Sequence, residues 1–262
     1  MSEAKLTHVG GPTLLIEVDG WRILTDPTFD PPGGKYKFGW GTSSRKTAGP
    51  AVAAADIGPL DAILLSHDQH DDNLDAAGRK LLPTAASVVT TAAGARRLGG
   101  NAVGLKPWET TTLEAAGKPP IKVTATPCRH GPPLSKPIVG DVIGFGLRWE
   151  GQTAGELWIS GDTVLYPGVA EVAERLDVGT AIVHLGGVRF PVSGPLRYTM
   201  TGTEAADLSR SLAPATVIPI HYDGWSHFLE ERAAAESELA TGLAGGPTIT
   251  WLVPGTPSSI EV

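Results

Sequence analysis

The chain has 262 residues, of which 41% are hydrophobic, 19% charged and 6% aromatic, a composition typical of globular proteins that excludes fibrous and disordered classes. Its 21 Lys and Arg against 28 Asp and Glu give a formal net charge of −7, which argues against a nucleic-acid or anionic-membrane partner. We find no secretory signal and no apolar run of the roughly 18 to 20 residues that cross a membrane. The single cysteine, Cys128, excludes an intrachain disulfide. These features predict a cytoplasmic protein without membrane insertion.

The chain opens with a predicted β-hairpin followed by a long loop. Residues 13–18 and 21–24 read as strands joined by Asp-Gly, a dipeptide favoured in type I′ turns. The second strand runs into Asp26, which places a carboxylate at a strand end. Residues 29–50 are rich in Gly, Pro and Lys without periodicity, and we predict an irregular functional loop there.

A buried strand is predicted at residues 61–66, because this short segment is almost continuously apolar. It ends in seven consecutive polar residues, 67–73. The next predicted elements are a helix, a strand, a helix and a strand, at residues 74–82, 87–91, 92–98 and 121–126. The last of these strands leads to His130.

The second half of the chain repeats the order of the first: hairpin, Asp at a strand end, helix, buried strand, His. Its predicted elements are the hairpin 144–149 and 156–160, a helix at 168–176, a strand at 180–183, a helix from a capping box at 201–204 to about 212, and a strand at 216–220. The repeat predicts two βα-rich halves that face each other.

Chemically active side chains concentrate just past the predicted strand ends, where open α/β sheets place their sites. They are Asp26, His67, Asp71, Asp72, His130, Asp162, His184 and His221. Because the whole protein has only seven histidines, this concentration indicates a metal site rather than scattered structural histidines.

With these residues the sequence resembles the metallo-β-lactamase fold superfamily of hydrolases, and most of all its branch of L-ascorbate-6-phosphate lactonase-like and N-acylphosphatidylethanolamine phospholipase D-like proteins. Residues 10–16 match the family's opening strand. Its His-x-His-x-Asp-His motif takes the variant form Ser-His-Asp-Gln-His-Asp-Asp at residues 66–72. The resemblance implies one domain over residues 1–262. It also implies an α/β fold, a four-layer αβ/βα sandwich of two facing mixed β-sheets flanked by helices.

The resemblance further implies one or two divalent ions, Zn or Mn, in two positions that share Asp162. The implied ligands are His67, Gln69, Asp71, Asp72, His130, Asp162 and His221. Gln69 and Asp72 replace motif histidines, which makes the first position weaker and the second richer in oxygen, a change that favours Mn²⁺. An alternative register stays open, in which His67 and His70 are the ligands and the local backbone differs.

The implied reaction is the hydrolysis of a small ester, lactone or phosphoester by a metal-activated water. Asp71 would bind metal and orient this water, and His184 would donate to the developing oxyanion or leaving group. Asp26 would support the ligands from behind. The residues expected to contact substrate lie in loops beside the motifs and are His70, Arg129, Arg189, Tyr222 and His227.

A few further residues suggest possible partners and an alternative function. The basic side chains of the long loop favour an anionic small-molecule substrate, and they are Lys35, Lys37, Arg45 and Lys46. Trp21, Trp40 and Trp108 leave room for a homo-oligomeric interface. The alternative function is a metal- or ligand-binding protein with reduced or lost catalysis, because Gln69 and Asp72 stand where relatives carry histidines.

Overall fold

The computed structural model describes residues 3–39 and 41–262. The strands of this part of the chain are, in order, β1 (Glu3–Gly10), β2 (Thr13–Val18), β3 (Trp21–Thr25), β4 (Lys35–Gly39), β5 (Thr42–Arg45), β6 (Ala62–Leu64), β7 (Ser87–Thr91), β8 (Ala102–Leu105), β9 (Thr110–Leu113), β10 (Ile121–Pro127), β11 (Ile143–Arg148), β12 (Glu156–Ile159), β13 (Val178–His184), β14 (Thr216–Ile220), β15 (Thr248–Ile249) and β16 (Ser258–Glu261). The α-helices are α1 (Ala76–Arg79), α2 (Ala92–Leu98), α3 (Lys136–Val139), α4 (Pro167–Ala170), α5 (Val172–Arg175), α6 (Gly202–Leu212) and α7 (Arg232–Gly242).

Fourteen of these strands form two seven-stranded mixed sheets. The first sheet has the order β16-β1-β2-β3-β6-β7-β8, and the second has the order β15-β14-β13-β12-β11-β10-β9. Each sheet has three antiparallel pairings on one side and three parallel pairings on the other. Strands β4 and β5 pair only with each other, as a separate hairpin.

Three apolar clusters fill the spaces between the layers. Side chains from both sheets, such as Ile16 and Phe145, form the cluster between them. Trp158 on the outer face of the second sheet packs with Leu208 of α6 and Leu239 of α7. A third cluster covers the outer face of the first sheet. The predicted α/β sandwich of two facing mixed sheets with flanking helices is therefore confirmed.

Local chemistry explains the elements that were predicted correctly. In the first hairpin Val18 pairs with Trp21, and both turn residues have positive φ, 45° at Asp19 and 82° at Gly20, as a type I′ turn requires. Helix α6 begins with the predicted capping box: the Thr201 hydroxyl accepts from the Glu204 amide at 3.2 Å, and the Glu204 carboxylate accepts from the Thr201 amide at 3.1 Å.

Two predictions of local structure were wrong. The segment 29–50 is not irregular, because it contains the β4–β5 hairpin. Phe38 of this hairpin packs against Trp225, a contact distant in sequence that no local pattern reveals. The helix predicted at 168–176 is interrupted between α4 and α5. There the amide of Glu174 donates a hydrogen bond to the carbonyl of Glu171, three residues earlier.

The tryptophans expected at an interface make contacts within the chain. Trp21 is buried and donates to the Pro119 carbonyl at 2.7 Å, and Trp108 lies under the Arg175 guanidinium at 4.5 Å. Trp40 lies outside the described residues. Within the described ranges, no helix combines the length and hydropathy needed to cross a membrane.

Candidate metal centre

Strand ends from both sheets bring six potential metal ligands together. His67 and His70 follow β6 of the first sheet, and the others follow or end β10, β12, β13 and β14 of the second: His130, Asp162, His184 and His221. All six side chains are buried. They form two clusters, which we call the histidine cluster (His67, His70, His130) and the aspartate cluster (Asp162, His184, His221).

In the histidine cluster, three imidazoles point their nitrogens at one another. His70 Nδ1 lies 3.0 Å from His67 Nε2 and 3.2 Å from His130 Nε2. A tetrahedral zinc ion with Zn–N distances of about 2.0–2.1 Å separates its nitrogen ligands by roughly 3.3 Å. The observed spacing therefore suits one shared cation.

The neighbours of these imidazoles leave them able to bind a cation. His130 Nδ1 donates to the Tyr198 carbonyl at 2.8 Å, so its Nε2 carries the lone pair. Burial, together with the neighbouring His130, lowers the pKa of His70 to about 4. Burial also lowers the pKa of His67 well below its usual value. Both rings are thus neutral at neutral pH, the form that binds metal.

The aspartate cluster combines one carboxylate with two imidazoles. His184 Nδ1 donates to Asp162 Oδ1 at 2.8 Å, and His221 Nε2 lies 3.6 Å from the same oxygen. Burial alone would raise the pKa of Asp162, but His221 and the hydrogen bond from His184 outweigh it and hold the pKa well below its usual value. Asp162 is therefore an anion in an otherwise closed interior.

Asp72 lies next to the aspartate cluster. Its Oδ2 accepts from His227 Nε2 at 2.9 Å and lies 3.9 Å from His221 Nε2. Burial opposes ionisation, but the hydrogen bond and charge of His227 lower the pKa of Asp72 to about 2. His227 in turn contacts the Ser44 hydroxyl through Nδ1 at 2.5 Å, which holds the ring in place.

Unpartnered polar atoms test whether these residues fit a metal. Buried nitrogens and oxygens normally have hydrogen-bond partners, because an unsatisfied one costs about 1–3 kcal/mol. Four buried atoms of this region have none among the described residues: Asp72 Oδ1, Asp162 Oδ2, His184 Nε2 and His221 Nε2. All four are metal-ligating atom types, so the donor set fits one or two divalent ions.

Asp26 stands behind the histidine cluster, as predicted for a supporting residue. Its Oδ1 accepts from the Ser66 amide at 2.7 Å, and the Ser66 hydroxyl contacts His67 Nδ1 at 3.0 Å. Burial raises the pKa of Asp26 well above its usual value, against the effect of the Ser66 amide bond. We propose that Asp26 orients His67 through this chain of contacts.

Three of the predicted ligands lie outside both clusters: Gln69, Asp71 and Asp72, of which Asp72 is the one next to the aspartate cluster. Gln69 is exposed, and its amide lies beside Gly140 rather than beside His67 or His130. Asp71 is half-buried and belongs to neither cluster; burial and the neighbouring Asp72 raise its pKa to about 6. His70 takes the place expected of Gln69, which is the alternative register left open above.

The residues predicted to contact substrate are scattered. Arg129 lies over the Tyr166 ring at 4.7 Å, Arg189 is exposed, and Tyr222 is buried against Trp251. Of the basic loop residues, Lys46 is buried and pairs with Asp75 at 2.8 Å. His70 and His227 do line a cavity of about 410 Å³.

Sequence reasoning missed the apolar walls of this cavity. Phe38, Phe190 and Tyr198 line it beside His70, Asp72 and His130. Phe190 stacks on the His227 ring at 5.2 Å with an interplanar angle of 10°. Isolated aromatic residues in loops carry no pattern that would have marked them as a site.

Comparisons with known proteins show the family of this chain. Residues 21–222 match the family described as Beta-lactamase superfamily domain. A UPF0173 metal-dependent hydrolase from Methanoregula boonei is 28% identical over 155 residues, which is 58% of this chain and 61% of that protein. One from Pelotomaculum thermopropionicum is 27% identical over 140 residues, 52% of this chain and 55% of that protein. The matched regions thus span less than two thirds of the length of these curated relatives.

A solved structure extends the likeness over nearly the whole chain. The isothiocyanate hydrolase from Delia radicum gut bacteria superposes with a TM-score of 0.78 at 22% identity, covering 98% of this chain and 99% of that one. At this identity the likeness concerns the fold. Because the family match covers more than half of the chain, the protein belongs to the beta-lactamase superfamily domain family, and its architecture is the metallo-β-lactamase fold.

Proposed function

We propose that this protein is a metal-dependent hydrolase that cleaves a small ester, lactone or phosphoester. The observation that carries the proposal is the pair of buried ligand clusters, of which the histidine cluster reaches a cavity large enough for a small molecule through His70 and His130, beside Asp72. The curated relatives from Methanoregula boonei and Pelotomaculum thermopropionicum are named metal-dependent hydrolases, which supports the same reading.

The histidine cluster would hold one ion and the aspartate cluster a second. When bound, a divalent ion supplies Lewis acidity and an acidified water at neutral pH. Three imidazoles in the first cluster favour zinc there. In the second cluster, two imidazoles join Asp162, so that site contains more nitrogen than the sequence implied and the argument for manganese weakens.

The chain's own residues would bind and orient the reactants. Asp72 is ionised, lines the cavity and has Oδ1 free, so it is better placed than Asp71 to accept a hydrogen bond from a nucleophilic water. His227 holds the other oxygen of Asp72 and fixes the carboxylate's orientation. His184 is fully buried and bonded to Asp162, which favours a ligand role over proton donation to substrate.

The alternative of a binding protein that has lost catalysis rested on Gln69 and Asp72. The argument for this alternative is weaker in the structure, because His70 supplies the third imidazole of the histidine cluster in place of Gln69. Asp72 lines the cavity and keeps one oxygen, Oδ1, without a hydrogen-bond partner among the described residues. The two clusters and Asp72 therefore offer the imidazoles and carboxylates that a hydrolytic metal centre uses.

The test is metal analysis combined with hydrolase assays of the zinc- or manganese-loaded protein. The substrates are p-nitrophenyl butyrate, p-nitrophenyl phosphate, a γ-lactone and benzyl isothiocyanate. Asp162→Asn should lose bound metal and lower kcat/KM by more than the roughly 10–100-fold that follows loss of a supporting hydrogen bond.

Asp207→Asn is the matched control, because Asp207 is exposed and pairs only with Arg210 among the described ion pairs. It should leave metal content and activity unchanged. A loaded, folded wild-type protein that turns over none of the four substrates would contradict the proposal and favour a binding role.

A further inference from the structure

The cavity beside the metal centre joins residues of the metal site to a largely apolar lining. His70, Asp72 and His130 line it at the metal site, and its other polar residues are Thr42, Ser135, Ser193 and His227. Its aliphatic and aromatic side chains include Phe38, Val139, Val188, Phe190, Leu196 and Tyr198. Its volume of about 410 Å³ lies near the lower end of the range for small-molecule pockets, about 300–1,000 Å³.

No Lys or Arg is found among the described residues that line this cavity. The carboxylate of Asp72 is the sole acidic group among them. A substrate with a phosphate or carboxylate away from its reacting bond would therefore have to bury that charge against apolar side chains without a cationic partner, which is strongly unfavourable.

A neighbouring cavity shows the contrast. It has a volume of about 470 Å³ and adjoins the first, with which it shares His130, Pro132, Leu134, Ser135 and Val139. Its lining also includes four basic residues: Arg96, Lys106, Arg129 and Lys136. It touches one residue of the histidine cluster and neither Asp72 nor His227. The charges needed to bind an anion thus lie outside the cavity that reaches the candidate water-orienting carboxylate.

Aromatic contacts hold the apolar wall in shape. Phe190 lies 5.7 Å from both Phe38 and Tyr198, and Phe38 lies 5.0 Å from the His227 ring. These side chains come from the β4–β5 hairpin and from two separate loops, so the wall depends on the tertiary fold. Preformed apolar pockets of this kind bind hydrophobic substituents with little reorganisation.

We infer that the site takes a substrate whose group away from the reacting bond is uncharged, small and apolar and lies against Phe38, Phe190 and Leu196. This inference rests on the proposed hydrolase function and narrows its substrates by the substituent that they carry. Leu196 is a specificity-determining position, because it lines the cavity. Substrates with an anionic group away from the reacting bond are excluded as preferred substrates.

The experiment measures kcat/KM of the metal-loaded protein for p-nitrophenyl acetate, propionate and butyrate, and for mono-p-nitrophenyl adipate, whose free carboxylate lies away from the reacting bond. Each added methylene that is buried should raise kcat/KM by about four-fold, the change expected for transfer of one CH₂ out of water. The adipate should be the poorest of the four. A flat acyl series, or a preference for the adipate, overturns the inference and leaves the hydrolase function standing.

Leu196→Arg and Leu229→Arg form a matched pair. Both leucines are exposed, 45% and 50%, but only Leu196 is among the residues that line the described cavities. Leu196→Arg should lower kcat/KM for the butyrate and raise that for the adipate, whereas Leu229→Arg should change neither by more than about two-fold. Equal effects of the two variants would overturn the assignment of Leu196.

A binding readout separates failure of the inference from failure of the function. N-benzylacetamide is uncharged and resistant to hydrolysis, and its binding can be followed by saturation-transfer NMR. Binding that Leu196→Arg weakens and Leu229→Arg does not supports the apolar pocket even if no ester is cleaved, a result that would contradict only the hydrolase function. Absence of binding to the wild-type protein overturns the inference.

Discussion

Two residues of the metal region have backbone conformations that residues other than glycine rarely adopt. Asp26 has φ 30° and His221 has φ 60°. Such conformations cost about 1–3 kcal/mol and persist where surrounding contacts impose them. The amide of Asp26 donates to the Leu64 carbonyl at 3.0 Å, and that of His221 donates to the Gly11 carbonyl at 2.9 Å. The fold therefore stores strain at the points where it aims these two side chains.

The choice between His70 and Gln69 as a ligand is a residue-scale prediction. His70→Ala should abolish binding of one equivalent of metal, because it removes one of three converging imidazoles. Gln69→Ala should leave metal content unchanged, because Gln69 is exposed beside Gly140. Inductively coupled plasma mass spectrometry of the two purified variants measures the difference. Metal loss in Gln69→Ala alone would restore the register implied by the motif.

The positions of His67, His130, Asp162 and His221 could be predicted, because each follows a strand that is recognisable from its apolar pattern. The sequence did not predict which of the residues after His67 would point into the metal site. That choice depends on a turn in which the amides of Asn73 and Leu74 donate to the His70 carbonyl. A polar segment such as 67–73 is compatible with several turns, and the tertiary structure selects one of them.

At the scale of elements, periodicity identified the buried strands and the helices with clear caps. It did not identify the β4–β5 hairpin, because this hairpin pairs with neither large sheet and is held mostly by contacts distant in sequence. Phe38 contacts His70, Phe190 and His227. The basic side chains of the same segment suggested an anionic substrate, yet the hairpin residues that line the cavity are Phe38, Gly39 and Thr42.

A buried ion pair fastens the end of this hairpin to the first sheet's loops. Lys46 Nζ lies 2.8 Å from Asp75 Oδ2, and their side chains are 4% and 0% exposed. Asp75 also accepts from the Gly78 amide at 2.8 Å, as the N-cap of α1, and from the Asp30 amide at 2.6 Å. The pair thus joins three segments around the metal region.

Breaking this pair should destabilise the protein strongly. Lys46→Ala leaves Asp75 buried without its cation, and we expect the free energy of unfolding to fall by about 3–5 kcal/mol. Urea denaturation followed by circular dichroism measures the change. Lys106→Ala is the control, because its partner Glu109 is 50% exposed, and it should cost less than about 1 kcal/mol. If both variants lower the free energy of unfolding by similar amounts, the buried pair contributes no more to stability than an exposed one.

At the scale of the whole molecule, the two sheets follow one plan. Asp26 and Asp162 follow β3 and β12, the strands at which antiparallel pairing changes to parallel pairing. One strand further, His67 follows β6 and His184 ends β13. The repeated order seen in the sequence therefore corresponds to equivalent positions in the two sheets. The copies have diverged in role, since Asp162 has a free carboxylate oxygen and Asp26 bonds the backbone.

The histidine cluster draws ligands from both sheets, so a bound ion would also join them. His67 and His70 come from the first sheet, and His130 comes from the second. A ligand that binds only the folded state stabilises it by about 4 kcal/mol at a free concentration 1,000 times its Kd. For a protein of this size, each kcal/mol corresponds to roughly 2–4 °C in Tm.

Removing the metal should therefore lower Tm by roughly 8–16 °C, measured by differential scanning calorimetry before and after treatment with a chelator. The Tm should rise to its original value when Zn²⁺ is added. His70→Ala is the decisive control: chelation should shift its Tm much less than that of the wild type, because it lacks a ligand of the ion that joins the sheets. If chelation lowers Tm equally in both proteins, the stabilising ion lies outside the histidine cluster, and the clusters must be assigned anew.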